Sequence, residues 1–308
     1  MSRSDAAAWA LRRGLRALGD LVPRPVDPRD VAICTIHGNT EAYGGQFARR
    51  YAWPQLQLRM LREHTPPGYV VLAYGNRLLA EHEEILRGAP EVRFVSSRDV
   101  VCGEMEHVWP LRNYLGRMVR DFRYIVHLDS DAFPVRDDWL PRYARSLHWW
   151  RPVVAVQRLE NGDRHSDRCF TMFRQVDMRR HGFDFSVVGV RDAGAGISDG
   201  LERQGLGWRA LRRTNAHDYH PLISGIYDDR IYHHAAGSRL PRFRLNLAQE
   251  ADENAMRREG VVHTLLMERL FDDTEGFLAE LRGQREPFDL EAEVEKRLTT
   301  GERSHEAG

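Results

Sequence analysis

The chain has 308 residues, 42% of them hydrophobic, which suffices for one large α/β domain or a domain with a sub-domain. Its 45 basic residues balance 45 acidic ones, so no global field points to nucleic acid or an anionic surface as partner. Lys296 stands alone among the arginines. That excludes a Walker A loop, whose Gly-Lys-Ser/Thr is absent, and leaves a Schiff-base mechanism only a lysine in a charged tail. The cysteines, Cys34, Cys102 and Cys169, are far apart and form no CxxC pair, so neither a zinc knuckle nor a disulfide framework is expected. Cys34 and Cys169 sit in apolar runs, as small buried thiols do. No stretch is long and apolar enough to span a bilayer, and a soluble, cytoplasmic protein is expected.

Asp5 to Leu18 reads as a short helix with Leu11, Leu15 and Leu18 on one face beside Arg12, Arg13 and Arg16. It packs on the domain or, as the alternative, makes peripheral contact with the inner face of a membrane. Prolines 23, 25 and 28 close it. Val31 to Ile36 is a first buried strand, ending at His37-Gly38-Asn39, where a nucleotide would rest. Gly44-Gly45 could make a flexible lip. Pro54 to His64 reads as a helix and Tyr69 to Tyr74 as the second strand, closed by Gly75-Asn76-Arg77. A helix over Leu78 to Leu86, a strand over Val92 to Val95 and a longer helix over 104–121 follow.

The central stretch is Tyr124-Ile-Val-His-Leu-Asp129-Ser130-Asp131-Ala-Phe-Pro134. An apolar, β-branched run ends in two carboxylates at i, i+2, and Pro134 is expected to stop the strand. The carboxylates repel each other with no base between them, and a hard divalent cation relieves this. The bland alternative is a strand end with turn-forming Asp and Ser.

Asp137-Asp138 opens another helix, through Leu147. Val153 to Gln157 and Cys169 to Phe173 are further strands, with a polar loop over Leu159–Arg168 between them. Asp192 precedes a Gly-Ala-Gly turn and a helix to Gln204, where an N-cap role would also explain it. Asp199 reads as part of a solvated helix face. Trp208 to Leu211 resumes an extended run. Gly225 to Arg239 reads as a short strand ending in His233 and His234, then a Gly loop. Neighbours on a strand point to opposite faces, so one of the pair should face the site. From residue 251 the chain is helical and charged, and Glu291 to Glu302 reads as a solvated helix.

Strands alternating with helices predict an α/β fold with a mostly parallel central sheet flanked by helices. Ligands then bind along the loops after the strands, where His37, Asn76, Asp129 and Asp131 fall together. Three segments are expected: a helix and linker over 1–30, a main domain over 31–250 and a charged helical extension over 251–308.

In order, Asp129-Ser130-Asp131, Asp192 ahead of Gly205, and Ile231-Tyr-His233-His234 resemble three landmarks of the GT-A type nucleotide-sugar glycosyltransferases, in particular the large family-2-like group. The likeness spans about residues 31–240. Where that group usually shows an acidic pair, this chain has Arg191-Asp192, and its acidic residue after the second strand is replaced by Tyr74-Gly75-Asn76. The resemblance implies a Rossmann-like GT-A fold and transfer of a sugar from a nucleoside-diphosphate donor to an acceptor hydroxyl on a polysaccharide, natural product or protein. It implies Mn²⁺ or Mg²⁺ held by Asp129, Asp131, His233 and His234. Thr35, His37, Asn76, Arg77, Asp129, Ser130 and Arg239 would contact the nucleotide sugar, and Asp192 would be the base at the acceptor hydroxyl. Rival readings are a nucleotidyltransferase acting on sugar phosphates, an Asp-x-Asp phosphatase and a non-catalytic nucleotide-sugar binding module. The first two normally recruit a lysine that this chain does not place there.

Overall fold

A computed structural model of the chain describes residues 25–38, 45–98, 118–183, 194–235 and 253–300. The expected N-terminal helix, Gly44, Cys102, most of the 104–121 helix, Asp192, Arg239 and the tail beyond residue 300 lie outside the described residues.

The core is a seven-stranded sheet in the order β3-β2-β1-β4-β7-β6-β8. Its strands are β1 (Val31–Gly38), β2 (Val70–Asn76), β3 (Val92–Ser97), β4 (Tyr124–Asp129), β6 (Val153–Val156), β7 (Asp167–Arg174) and β8 (Arg209–Leu211). The pairs β1/β2, β1/β4, β2/β3 and β6/β8 are parallel, while β7 runs antiparallel to both neighbours. The expected α/β class with a mostly parallel sheet is therefore found.

The continuous apolar runs arise because both faces of the sheet are covered. Val31, Ile33, Val71, Ala73, Val126 and Leu128 point to one face. They meet Leu58 and Leu61 of α2 (Trp53–His64), Leu86 of α3 (Ala80–Gly88), and Trp139 and Tyr143 of α4 (Trp139–Arg145). A shorter helix, α1 (Gly45–Arg50), precedes α2. Ala32, Cys34, Ile36, Leu72, Tyr74 and Ile125 point to the other face. There they meet Met178 of α5 (Gln175–His181) and Ile197 and Leu201 of α6 (Ala195–Arg203). Each fully buried Val, Ile or Leu of these stripes contributes about 1.5–3 kcal/mol. Cys34 and Cys169 are buried free thiols, as expected.

A second sheet has the order β5-β10-β9, from β5 (Ala132–Pro134), β9 (Gly225–Tyr227) and β10 (Ile231–His233). The expected single strand breaks after Asp129, and Pro134, as expected, is the last strand residue, now of β5. Pro134 pairs with Ile231 on the outer strand of this sheet, where a missing N–H is tolerated. The single strand expected before the two histidines is a hairpin instead. Asp228, Asp229 and Arg230 connect its strands; Asp228 and Asp229 have positive φ (50° and 59°), and the Arg230 N–H donates to the Tyr227 carbonyl at 3.0 Å. Arg142 and Arg209 hold the Asp228 carboxylate there.

The small sheet is backed by α7 (Glu253–Asp272), α8 (Thr274–Leu281) and α9 (Leu290–Thr300). Val261, Leu265, Leu266, Leu270, Phe277, Leu278, Leu290 and Val294 share one core with Trp53, Phe133 and Tyr232. The last helix, expected as a solvated one, buries Leu290 and Val294. Asp273 caps α8 by accepting from the Gly276 N–H at 2.9 Å. No described helix is long and apolar enough to cross a membrane.

Within this core α7 buries His263, 4% exposed, with no partner on either ring nitrogen among the described residues. Burial holds its imidazole down to about 4, below the ordinary 6.5. An unfolded chain therefore takes up a proton here before the folded one does, and stability is lost as pH falls from about 6.5 toward 4. The variant His263→Leu should gain roughly 1 kcal/mol at neutral pH by removing unpaired polar atoms. Over that acid range it should lose stability less steeply, by up to about 1.4 kcal/mol per pH unit. Urea unfolding at a series of pH values reads both, and an unchanged acid slope would clear His263.

Candidate metal centre

Asp129 ends β4 in register with Ile36 of β1, while Gly38 pairs with Asn76 and Asn76 with Ser97. The carboxyl ends of β1, β2, β3 and β4 thus form one edge, where open α/β sheets place ligands. From Asp129 the chain passes directly into β5 of the second sheet. His233 lies opposite Ala132 in the β5–β10 ladder. This crossing brings Asp129, Asp131 and His233 together, each offering a ligand atom within 4.8 Å of the others.

The turn between the sheets is fastened from two sides. The buried Gln57 amide of α2 donates to the carbonyls of Asp129 and Ala132, both at 2.7 Å. The His234 backbone N–H donates to the Asp131 carbonyl at 3.0 Å. The two carboxylates are therefore held close by backbone geometry rather than by choice of rotamer alone.

His233 Nε2 lies 3.5 Å from Asp131 Oδ1, both side chains nearly buried. Burial opposes charge on the imidazole, but the Asp131 carboxylate and its hydrogen bond outweigh this and raise His233 above its ordinary value. The Arg168 guanidinium approaches Asp129 Oδ2 at 3.6 Å. Beside it, Arg158 faces Glu160 at 3.6 Å and Asp167 at 3.9 Å. The Tyr227 hydroxyl donates to Glu160. Asp129, Asp131, Glu160 and Asp167 thus stand close together, with Arg158 and Arg168 among them.

The donor set fits a divalent ion. An ion bound at about 2.1 Å would keep its ligands within roughly 4.2 Å of one another, a small contraction from the spacing found. Two carboxylates with one imidazole suit Mn²⁺; Mg²⁺ favours oxygen alone.

His234 departs from the expected ligand set. Being the neighbour of His233, it points the other way, and among the described residues it lies outside the metal group. Its Nδ1 is 2.7 Å from the Tyr232 hydroxyl, and its ring packs on Trp53 and His263. Burial keeps it well below its ordinary pKa.

The other expected residues are spread along the edge. Thr35 Oγ1 and His37 Nε2 bond each other at 3.0 Å on β1, and burial lowers His37 to about 3, a neutral ring. Asn76 is 2% exposed, and its Oδ1 has no partner among the described residues. Arg77 follows with φ 52°, its N–H donating to Ser97 O at 3.0 Å. Ser130 is buried in the turn. Sequence reasoning did not single out Gln57, Arg158, Glu160, Asp167 or Arg168. The available signal was the polar loop over 159–168 between two strong strands.

No family model matches the chain, and no curated protein matches it. Among solved structures it is similar to a protein described as a nucleotide-diphospho-sugar transferase from Desulfovibrio desulfuricans G20. That likeness has 12% identity and a TM-score of 0.42, covering 59% of this chain and 80% of that one. It is also similar to a mannosyltransferase from Pyrobaculum calidifontis in complex with GDP-Man and Mn²⁺, with 11% identity, a TM-score of 0.45 and coverage of 97% and 90%. A third is described as a glucose-1-phosphate thymidylyltransferase from Bacillus anthracis, with 5% identity, a TM-score of 0.42 and coverage of 76% and 95%.

If the Gln57 amide fastens the turn, Gln57→Leu should leave two carbonyls short of a donor and lower stability by about 2 kcal/mol or more. Chemical denaturation checks this, and a loss below about 0.5 kcal/mol would show that the turn holds without Gln57.

Proposed function

We propose that this protein is a metal-dependent glycosyltransferase of the GT-A type, moving a sugar from a nucleoside-diphosphate donor to an acceptor hydroxyl. The observation that carries this is the convergence of Asp129, Asp131 and His233 at the carboxyl edge of the sheet. The order of the sequence landmarks supports it.

Asp131 and His233 are the direct ligands in this reading, with Asp129 shared between the ion and the donor sugar or ribose. A bound Mn²⁺ or Mg²⁺ supplies a Lewis acid for the negative charge that grows on the leaving diphosphate. The chain's own part is to orient the donor and exclude water. Asn76, whose Oδ1 has no partner among the described residues, offers an acceptor to the nucleoside at the end of β2. Thr35, His37, Arg77 and Ser130 line the same edge. Arg239, beyond the second histidine, serves as a fork for phosphate oxygens. Asp192, which precedes α6 in the sequence, is in this reading the base at the acceptor hydroxyl. Glycan, metabolite and protein hydroxyls all satisfy this chemistry, and the N-terminal helix is a candidate contact with a membrane surface.

Calorimetric titration with UDP and GDP, with and without Mn²⁺, tests the reading. Binding should require the metal, and Asp131→Asn should weaken it by roughly 100-fold or more, since even residues that only orient metal ligands contribute 10- to 100-fold. Equal binding without metal, or an unaffected Asp131→Asn variant, would defeat the assignment. Release of nucleoside diphosphate rather than pyrophosphate separates glycosyl from nucleotidyl transfer.

A further inference from the structure

Asp199, expected on a solvated helix face, turns inward instead. Its Oδ1 lies 2.8 Å from Nδ1 of His165, with the two side chains only 18% and 22% exposed. The oxygen approaches the ring nitrogen closely but out of line for a hydrogen bond, and catalytic hydrogen bonds commonly tighten around substrate. His165 belongs to the loop that leads into β7. Its own backbone N–H donates to Asp163 Oδ1 at 2.9 Å, which fixes the loop locally.

This loop and α6 are built as one body. Ser166 N–H donates to Ser198 Oγ at 3.2 Å, and Ser166 Oγ donates to the Gly194 carbonyl at 2.6 Å. Gly194 has φ 114°, and a Cβ there would stand 2.9 Å from the Arg168 nitrogen and 3.0 Å from the Ser166 carbonyl. The helix start is thus pressed against the segment that ends in Arg168, the residue facing Asp129. Asp199 on α6 thus meets His165 in the loop before β7, three residues ahead of Arg168, whose guanidinium faces Asp129 of the metal group.

Resting on the glycosyl-transfer reading, we propose that His165, oriented by Asp199, is the catalytic base of this site and that transfer inverts the anomeric carbon. The carboxylate holds the proton of the neutral imidazole on Nδ1 and leaves the Nε2 lone pair as acceptor. The acceptor hydroxyl gives its proton to Nε2 as its oxygen forms the bond to the anomeric carbon. The bond from that carbon to the donor phosphate oxygen breaks, and its electron pair leaves with the nucleoside diphosphate. The role expected of Asp192 from the sequence thereby passes to His165.

The test uses the full chain with Mn²⁺ and UDP-glucose or GDP-mannose, water serving as acceptor, and follows nucleoside diphosphate release and the configuration of the freed sugar. His165→Ala should lower kcat by about 10²- to 10⁴-fold, the usual contribution of a positioned base. Its Mn²⁺-dependent affinity for UDP or GDP should be unchanged, and added imidazole should restore part of the rate. Asp199→Asn should lower kcat with KM little changed, and Asp192→Asn should lose less than His165→Ala, with no rescue by imidazole. Retained configuration would overturn the proposal, as would full turnover by His165→Ala or a loss in that variant matched by lost nucleotide binding. Wild-type protein that binds no metal–nucleotide at all would instead remove the glycosyltransferase reading itself, and the proposal with it.

Discussion

The candidate site depends on one backbone event, the passage of the chain from β4 of the large sheet into β5 of the small one. Two carboxylates that repel each other sit in that passage, and nothing in their side chains alone would keep them close. The Gln57 amide and the His234 N–H take up the backbone carbonyls of the turn. Each such bond is worth about 1 kcal/mol net, but the buried carbonyls would cost more if left alone. The repulsion is therefore held in a fixed frame rather than relaxed by movement, and two carboxylates held close are what a hard cation stabilises.

The small sheet exists only as part of a larger packing arrangement. Three strands of three residues each reach stability by packing their hydrophobic face against helices. Phe133 and Tyr232 stack at 4.9 Å across β5 and β10, and the second ring packs on Phe277 of α8. The C-terminal helices thus support the strand that delivers His233. A segment that reads in sequence as a charged appendage is, in packing terms, the back wall of the site. Its Val, Leu and Phe positions complete a core whose other half comes from Trp53, Phe133 and Tyr232.

Much of the large sheet was legible because doubly covered parallel strands are continuous apolar runs, and β1, β2 and β4 are such runs. Asp129 and Asp131 were legible for the same reason, as the first polar residues after one of them. The contrast between His233 and His234 followed from strand alternation, although only the structure shows which ring turns to Asp131. What escaped notice has a common cause. In a parallel strand the ligand edge is the carboxyl end, and candidates were sought there. β7 runs the other way, so its beginning meets that edge and carries Asp167 and Arg168 to it. The Asp228-Asp229 turn was missed because the backbone strain of a hairpin turn usually falls on Gly or Asn. Asp199 was misread because helical spacing alone does not reveal that a loop from another strand end covers that face.

The titratable groups divide in a way that sharpens the electrostatic argument. Burial holds His37 near 3, His127 near 4 and His263 near 4, so these rings stay neutral at ordinary pH. His233 differs because Asp131 outweighs the burial. The histidines other than His233 therefore add little positive charge, while Arg158 and Arg168 lie against Asp129, Glu160 and Asp167. Lys296 is far along the last helix, beside Glu293. Three ligand atoms converge at Asp129, Asp131 and His233. A divalent cation there would relieve the repulsion between the two carboxylates with little change in their geometry.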